Sequence, residues 1–200
     1  MARKWSNRNL PGALHFVTGA VRDRLPIFQQ QAACQAFLEE CQRLRNESEC
    51  KLIAFVVMPD HFHLIVNPRD GRIREWTGAL KSLSANRLVE MAPRRFLKRE
   101  TDADGCRHQV WQESFKAQPL WSDWMIWQKI NYIHANPLRA GLVNSAKDYR
   151  WSSFGAFYLE EADPLLQIDK DWWWPDDVQK LERAMAEWDK ESLEKGKQRR

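Results

Sequence analysis

Two histidines separated by one residue are the most distinctive chemical feature of this sequence. His61 and His63 lie in the run HFHLIV at 61–66, and a short apolar run of this kind predicts a β-strand. Side chains alternate along a strand, so Phe62 faces one way and both imidazoles face the other, about 7 Å apart. Imidazoles at this spacing can converge on one metal ion. The alternative is a pair of unrelated, half-exposed histidines.

A tyrosine and an asparagine four residues apart form the second feature, in the segment YIHANP at 132–137. On a helix, Tyr132 and Asn136 would lie on one face, one turn apart. A tyrosine can act as a covalent nucleophile, and an amide oxygen is a ligand suited to a hard cation. Pro137 disfavours helical geometry at Asn136, so we expect Asn136 at the end of the helix. The alternative is a packed tyrosine followed by a helix-terminating Asn-Pro.

Hydrophobic periodicity predicts the elements that must position these residues. We expect strands at 13–21, 51–58, 61–66 and 110–117, and helices at 29–48, 72–91, 121–135 and 177–195. The basic segment 93–109 is predicted to be a loop, and Pro59-Asp60 a turn between two strands of a hairpin. This order is typical of a ferredoxin-like α+β domain, an antiparallel sheet with helices on one face, followed by an added helix. The other face would be free for chemistry or for a nucleic acid.

Composition narrows the class of protein. The chain has 200 residues, 44% hydrophobic and 29% charged, which is typical of one soluble globular domain and excludes a disordered chain. No apolar run approaches the roughly 20 residues that cross a bilayer, and the first residues lack the apolar core of a secretory signal. The cysteines have no metal-binding spacing; they are Cys34, Cys41, Cys50 and Cys106. We expect reduced thiols and a cytoplasmic location.

Charge is distributed unevenly along the chain. Residues 69–99 contain nine basic and three acidic residues, a net of +6, whereas residues 158–195 contain twelve acidic and five basic residues, a net of −7. This pattern favours a body that binds a polyanion and a separate acidic segment. The alternative is a pair of solvated helix faces that bind nothing. The 11 Trp residues could stack on unpaired bases, although most tryptophans serve packing.

The two motifs together resemble a known family. The segments VVMPDHFHLIV at 56–66 and YIHANPLRAGLV at 132–143 are similar to those of the REP-associated tyrosine transposases, which belong to the single-tyrosine HUH superfamily with IS200-type relatives. Three further segments also look like family segments: FVTGAVRDRLPIF at 16–28, WQESFKA at 111–117 and YRWSSF at 149–154. The resemblance covers roughly residues 10–155.

The resemblance implies roles for individual residues. His61 and His63 match the two-histidine motif, Tyr132 matches the nucleophile, and Asn136 matches the third metal ligand. The implied activity is that of a metal-dependent endonuclease and strand transferase, which acts on single-stranded DNA near hairpins and passes through a 5′-phosphotyrosine. With no cysteine or carboxylate in the set, Mg²⁺ or Mn²⁺ is more plausible than structural zinc. The resemblance also places the hairpin and the nucleophile helix together on the second face of the sheet.

Two other functions are compatible with the same residues. The chain could be a domesticated, non-enzymatic protein that binds single-stranded or hairpin DNA. It could also be a metalloenzyme of another chemistry, which would need a general base, and Asp60 is the acidic residue nearest the histidines in sequence.

Partners and boundaries follow from the same motifs. We predict a catalytic domain at 1–157 and a C-terminal extension at 158–200, a DNA partner, no membrane partner, and a monomer or homodimer. Basic residues could hold DNA phosphates; the candidates are Arg72, Arg74, Lys81, Arg87, Arg94 and Arg95. The acidic extension could compete with DNA for this surface, or it could simply keep a basic protein soluble.

Overall fold

A four-stranded antiparallel sheet forms the centre of the fold. The structure is a computed structural model that describes residues 7–91, 99–102, 105–160 and 166–197. Its strands are β1 (Leu14–Ala20), β2 (Cys50–Met58), β3 (His61–Pro68), β4 (Arg99–Asp102), β5 (Gly105–His108) and β6 (Lys116–Leu120). The sheet has the order β2-β3-β1-β6, and β4 pairs with β5 in a separate hairpin.

Helices cover both faces of this sheet. They are α1 (Gln31–Glu47), α2 (Ile73–Met91), α3 (Asp123–Arg139), α4 (Phe154–Tyr158) and α5 (Asp177–Lys197). Helices α1 and α2 pack on one face, and α3 packs on the other. Among the described residues, none of these helices combines the length and the apolar character that crossing a membrane requires.

The alternation of side chains along β3 separates two cores, as the sequence predicts. Phe62 and Leu64 are buried with Phe37 of α1 in the core beneath α1 and α2. Ile65, one residue further along the strand, packs with Ile130 of α3 in the core on the opposite face. The α+β class with an antiparallel sheet is therefore confirmed, and the second face of the sheet carries α3.

A two-residue turn sets the register of the hairpin. Met58, the last residue of β2, pairs with His61, the first residue of β3, and only Pro59 and Asp60 lie between them. On the other side of β3, His63 pairs with Thr18 of β1. A slip of one residue would move every side chain of β3 to the other face. The short turn thus keeps His61 and His63 on the α3 face.

The segment between α2 and α3 differs from its prediction. Part of the predicted loop at 93–109 forms the hairpin β4–β5, while residues 92–98 lie outside the described part of the chain. The predicted strand at 110–117 was placed too early, because the strand of the sheet runs from Lys116 to Leu120. Val110 and Trp111 are both buried in the α1–α2 core instead of alternating between faces. Pro119 is tolerated because β6 is an edge strand.

The prediction that Pro137 limits α3 was wrong. The helix continues to Arg139 with Pro137 inside it, so Asn136 is helical. Pro137 has no amide hydrogen to donate to the carbonyl of Ile133. The last turn still closes, because the amide of Ala140 donates to the carbonyl of Asn136 at 2.9 Å and the amide of Leu142 donates to that of Pro137 at 3.0 Å. The side chain of Asn136 adds a local contact, because its Nδ2 donates to the carbonyl oxygen of Tyr132 at 3.0 Å. At the start of α3, Ser122 acts as the N-cap, accepting from the amide of Met125.

The C-terminal extension binds the outer edge of β2. The amide of Asp169 donates to the carbonyl of Leu52, and its carboxylate accepts from the amide of Leu52, both at 2.8 Å. The same carboxylate binds Arg45 of α1 through two hydrogen bonds, of 2.9 and 2.5 Å. Unpaired strand edges invite aggregation. These contacts therefore close an edge of the sheet and tie the extension to α1.

The extension then reaches the end of the sheet that lies away from His61. Asp177, at the start of α5, is buried, and its carboxylate accepts from Nδ2 of Asn67 at 2.7 Å. Asn67 is near the end of β3, whereas His61 begins that strand. Helix α5 therefore begins about 20 Å from His61, given the rise of roughly 3.3 Å per strand residue.

Replacing Asp169 by alanine should lower the free energy of unfolding by about 2–4 kcal/mol, because it strands the guanidinium of Arg45, whose side chain is only 14% exposed. Chemical denaturation measures the change. Asp171→Ala is the matched control, because the side chain of Asp171 is 89% exposed and its partner Lys51 keeps a hydrogen bond to the carbonyl of Trp173; we expect a loss below about 1 kcal/mol. Equal losses in the two variants would contradict an anchoring role for Asp169.

Candidate active site

The histidine pair and the tyrosine meet on the α3 face of the sheet. The ring centroids of His61 and His63 are 5.0 Å apart, and the ring of Tyr132 lies 5.5 Å from that of His63 in an edge arrangement. Tyr132 is 37% exposed, so a ligand can approach this residue from solvent. Strand β3 and helix α3 thus bring together two motifs that are distant in sequence.

His63 is held firmly by its surroundings. It is buried, its Nδ1 lies 2.7 Å from Oγ1 of Thr18, and its ring stacks on Phe16 at 5.2 Å. Burial, together with the nearby charges of His61, Lys129 and Arg24, lowers the pKa of His63 to about 3. The ring is therefore neutral at physiological pH. With Nδ1 occupied by Thr18, Nε2 is the nitrogen that can bind a ligand.

His61 is positioned by a carboxylate. Its Nδ1 lies 2.5 Å from Oδ1 of Asp60, and Oδ2 of Asp60 pairs with Arg24 at 3.3 Å. A carboxylate on one imidazole nitrogen orients the ring and makes the other nitrogen a better metal ligand. His61 and His63 therefore use Nδ1 for positioning in the same way, and each keeps Nε2 for a ligand.

Asn136 offers an oxygen on the same helix face as Tyr132. Because its Nδ2 is bound to the carbonyl of Tyr132, its Oδ1 is the atom left to act as an acceptor or ligand. Within the described residues, no three His, Cys, Asp or Glu side chains are grouped so that they could hold a metal ion. Asn136 could supply a third ligand beside the two imidazoles, and a set of two imidazoles and one amide oxygen would suit Mn²⁺ or Mg²⁺; this ligand set stays a prediction.

Two cations flank Tyr132, and the sequence analysis did not single them out. The ammonium of Lys129 lies 5.7 Å from the centroid of the Tyr132 ring, and the guanidinium carbon of Arg139 lies 5.8 Å from it. Their positions, three residues before and seven after Tyr132, are those of one helix face. That spacing could have indicated them before the fold was known.

The remaining tyrosines are engaged within the protein. The hydroxyl of Tyr149 donates to the carbonyl of Val57 at 2.8 Å, and burial raises the pKa of Tyr149 to about 12. The hydroxyl of Tyr158 donates to Oδ1 of Asn131 at 2.8 Å. His134, two residues after Tyr132, points into the protein, where its Nε2 lies 2.9 Å from Oγ of buried Ser153. Tyr132 is thus the tyrosine that lies beside the histidine pair.

Two of the basic residues predicted to contact DNA lie on the other face of the sheet. Arg72 and Arg74 are exposed around the start of α2, a helix on the face of the sheet opposite Tyr132. Arg94 and Arg95 lie outside the described residues. A contact between any of these four residues and DNA stays a prediction.

Two further predicted DNA contacts have partners inside the protein. The ammonium of Lys81 donates to the carbonyl of Gln112 at 2.6 Å, and burial lowers the pKa of Lys81. The guanidinium of Arg87 pairs with Glu39 at 2.7 Å and with Glu40 at 3.4 Å. Both side chains join α2 to neighbouring segments, and a role in DNA binding stays a prediction for them as well.

Comparison with known proteins gives consistent results. The family described as "Transposase IS200 like" matches residues 12–136. A Haemophilus influenzae protein assigned as a REP-associated tyrosine transposase is 25% identical over 148 residues, which span 72% of this chain and 80% of that protein. The structure of a REP-associated tyrosine transposase bound to a REP hairpin is 19% identical and superposes with a TM-score of 0.61, covering 84% of this chain and 94% of that one. At this identity, the superposition shows a shared fold.

Proposed function

The chain belongs to the IS200-like transposase family, and we propose that it cuts and rejoins single-stranded DNA through a covalent link to Tyr132. The observation that carries this proposal is the placement of Tyr132 beside the paired histidines, with 5.5 Å between the rings of Tyr132 and His63. A structure of this fold is bound to a REP hairpin, which supports single-stranded DNA near a hairpin as the substrate.

In the proposed reaction, the phenol oxygen of Tyr132 attacks the scissile phosphorus. The Tyr132 Oη–P bond forms as the bond from phosphorus to the 3′ oxygen breaks, and the phenol proton passes to solvent. The leaving 3′ oxygen takes up a proton, which gives a free 3′ hydroxyl and a 5′-phosphotyrosine. A later attack by a 3′ hydroxyl on the phosphotyrosine restores a DNA phosphodiester and the free tyrosine. The energy of the broken bond is kept in the tyrosine ester, so rejoining needs no ATP.

His61, His63 and Asn136 would hold a divalent metal ion, Mg²⁺ or Mn²⁺. When bound, such an ion neutralises charge on the phosphate and orients the phosphorus for attack. The protein prepares the two imidazoles for this task through Asp60 and Thr18, each of which binds an Nδ1. The burial that keeps His63 neutral also keeps its Nε2 lone pair available.

We also propose that residues 1–157 form the catalytic domain and that the extension has a mainly structural role. Leu166 is buried in the α1–α2 core, and Asp169 covers the edge of β2. Helix α5 starts at the end of the sheet away from His61. These contacts favour anchoring over direct competition with DNA at the active site.

Incubation with end-labelled hairpin DNA and Mn²⁺ tests the proposed activity. A labelled band that survives denaturation and migrates with the protein is the expected result, since it reports the phosphotyrosine. A shift in a native gel without a covalent band would instead indicate a protein that only binds DNA. The absence of both would overturn the proposal.

Replacing Asp60 by asparagine should raise the Mn²⁺ concentration needed for half-maximal adduct formation by about tenfold. The amide keeps the shape of the side chain but removes the charge that strengthens His61 as a ligand. A titration of adduct formation against Mn²⁺ measures the effect. Asp148→Asn, at an exposed turn, is the control and should leave the titration unchanged. An unchanged midpoint for Asp60→Asn would show that the carboxylate does not support the metal site.

A further inference from the structure

Lys129 lies on the helix face that carries the proposed nucleophile. It precedes Tyr132 by three residues, which places the two side chains about 60° apart around α3. Asn136 lies about 40° from Tyr132 around the helix axis, on the same side of Tyr132 as Lys129. A single stripe of α3 therefore carries an ammonium, a phenol and an amide, and the phenol ring lies 5.5 Å from the ring of His63.

The ammonium of Lys129 lies against two aromatic rings. Its Nζ is 4.6 Å from the centroid of Phe16 and 5.7 Å from that of Tyr132. Phe16 is also the ring on which His63 stacks, so the charge lies inside the site. The side chain is half-buried, and this burial lowers the pKa of Lys129.

Lys129 differs from the other half-buried lysines in having no polar partner within the described part of the chain. Lys51 binds Asp171 and the carbonyl of Trp173, and Lys81 binds the carbonyls of Gln112 and Glu113. The ammonium is not fully buried, so water solvates it in the free protein. A cation held against two aromatic rings, with no protein acceptor to displace, is available to bind an anionic ligand.

We propose that Lys129 is a catalytic residue that donates a hydrogen bond to a non-bridging oxygen of the scissile phosphate. The inference rests on the proposed function, because the phosphorus attacked by Tyr132 must lie within bonding distance of the phenol oxygen. The Lys129 ammonium lies 5.7 Å from the centroid of that ring, so its flexible side chain is near enough to bind the phosphate oxygens. As the Tyr132 Oη–P bond forms and the bond to the 3′ oxygen breaks, negative charge spreads over those oxygens, and a preorganised cation stabilises it.

The test compares three variants in single-turnover adduct formation at saturating hairpin DNA and Mn²⁺. Lys129→Gln should slow the reaction by about 10²-fold, and Lys129→Arg should recover most of the rate because it restores the charge. Lys170→Gln is the matched control, since it removes one exposed lysine charge on the extension and should leave the rate unchanged. A Lys129→Gln rate within about twofold of wild type would overturn the proposal.

A second substrate separates a phosphate contact from a structural role. A methylphosphonate at the scissile position removes one negative charge from the group that Lys129 is proposed to bind. The ratio of wild-type to Lys129→Gln rates should then fall to nearly one. The same ratio on both substrates, or a large drop in the melting temperature of Lys129→Gln, would show that the lysine serves packing. A wild-type protein that forms no adduct would instead refute the proposed function, so the two failures are distinct.

Discussion

Replacing Tyr132 by phenylalanine should abolish the covalent DNA adduct and leave DNA binding nearly unchanged. The substitution removes one oxygen, and the ring keeps its edge contacts with Phe16 and His63, at 5.8 and 5.5 Å. Because the nucleophile is lost rather than weakened, we expect adduct formation below detection, while the dissociation constant for hairpin DNA stays within about twofold. Denaturing gels of labelled DNA measure the adduct, and fluorescence anisotropy measures binding.

Tyr158→Phe is the matched control for this substitution. Tyr158 is also exposed, at 45%, and its hydroxyl binds Asn131 rather than any residue of the histidine site. Its variant should form the adduct at the wild-type rate. An adduct that persists in Tyr132→Phe and disappears in Tyr158→Phe would move the nucleophile to the other tyrosine and contradict the proposed active site.

The residues of the candidate site could be predicted because each motif depends on a local period. Alternation along a strand places His61 and His63 on one face, and the spacing of one helical turn places Tyr132 and Asn136 together. Neither argument requires the tertiary fold. The prediction that the helices and the hairpin form an α+β domain rests on equally local patterns, and the structure confirms that class.

The residues that support the site depend on register, which the sequence does not display. Thr18 binds His63 only because β1 pairs with β3 at that register, and one residue of slip would remove it. Lys129 gains its place beside Phe16 from the packing of α3 on the sheet. The end of α3 was misplaced because the rule for residues before proline is a local preference, which tertiary packing, here the burial of Pro137, can override.

Replacing His61 by alanine should remove the metal dependence of the reaction with little loss of fold stability. The side chain of His61 is partly exposed and its ring bonds to Asp60, so its removal leaves no buried cavity. We expect adduct formation to fall by at least about 10²-fold, as for loss of a residue that supports charge stabilisation in the transition state. Thermal melting without metal should stay within a few degrees of wild type.

The metal itself provides a readout that does not depend on activity. A ligand that binds only the folded state stabilises it, by about 2.7 kcal/mol when its concentration is 100 times the dissociation constant. Mn²⁺ should therefore raise the melting temperature of the wild-type protein and fail to raise that of His61→Ala.

His63→Ala is less informative, because His63 is only 5% exposed and stacks on Phe16, so its loss should destabilise the core directly. Equal Mn²⁺ shifts in the wild type and in His61→Ala would exclude His61 as a ligand. They would show that the metal binds through other groups.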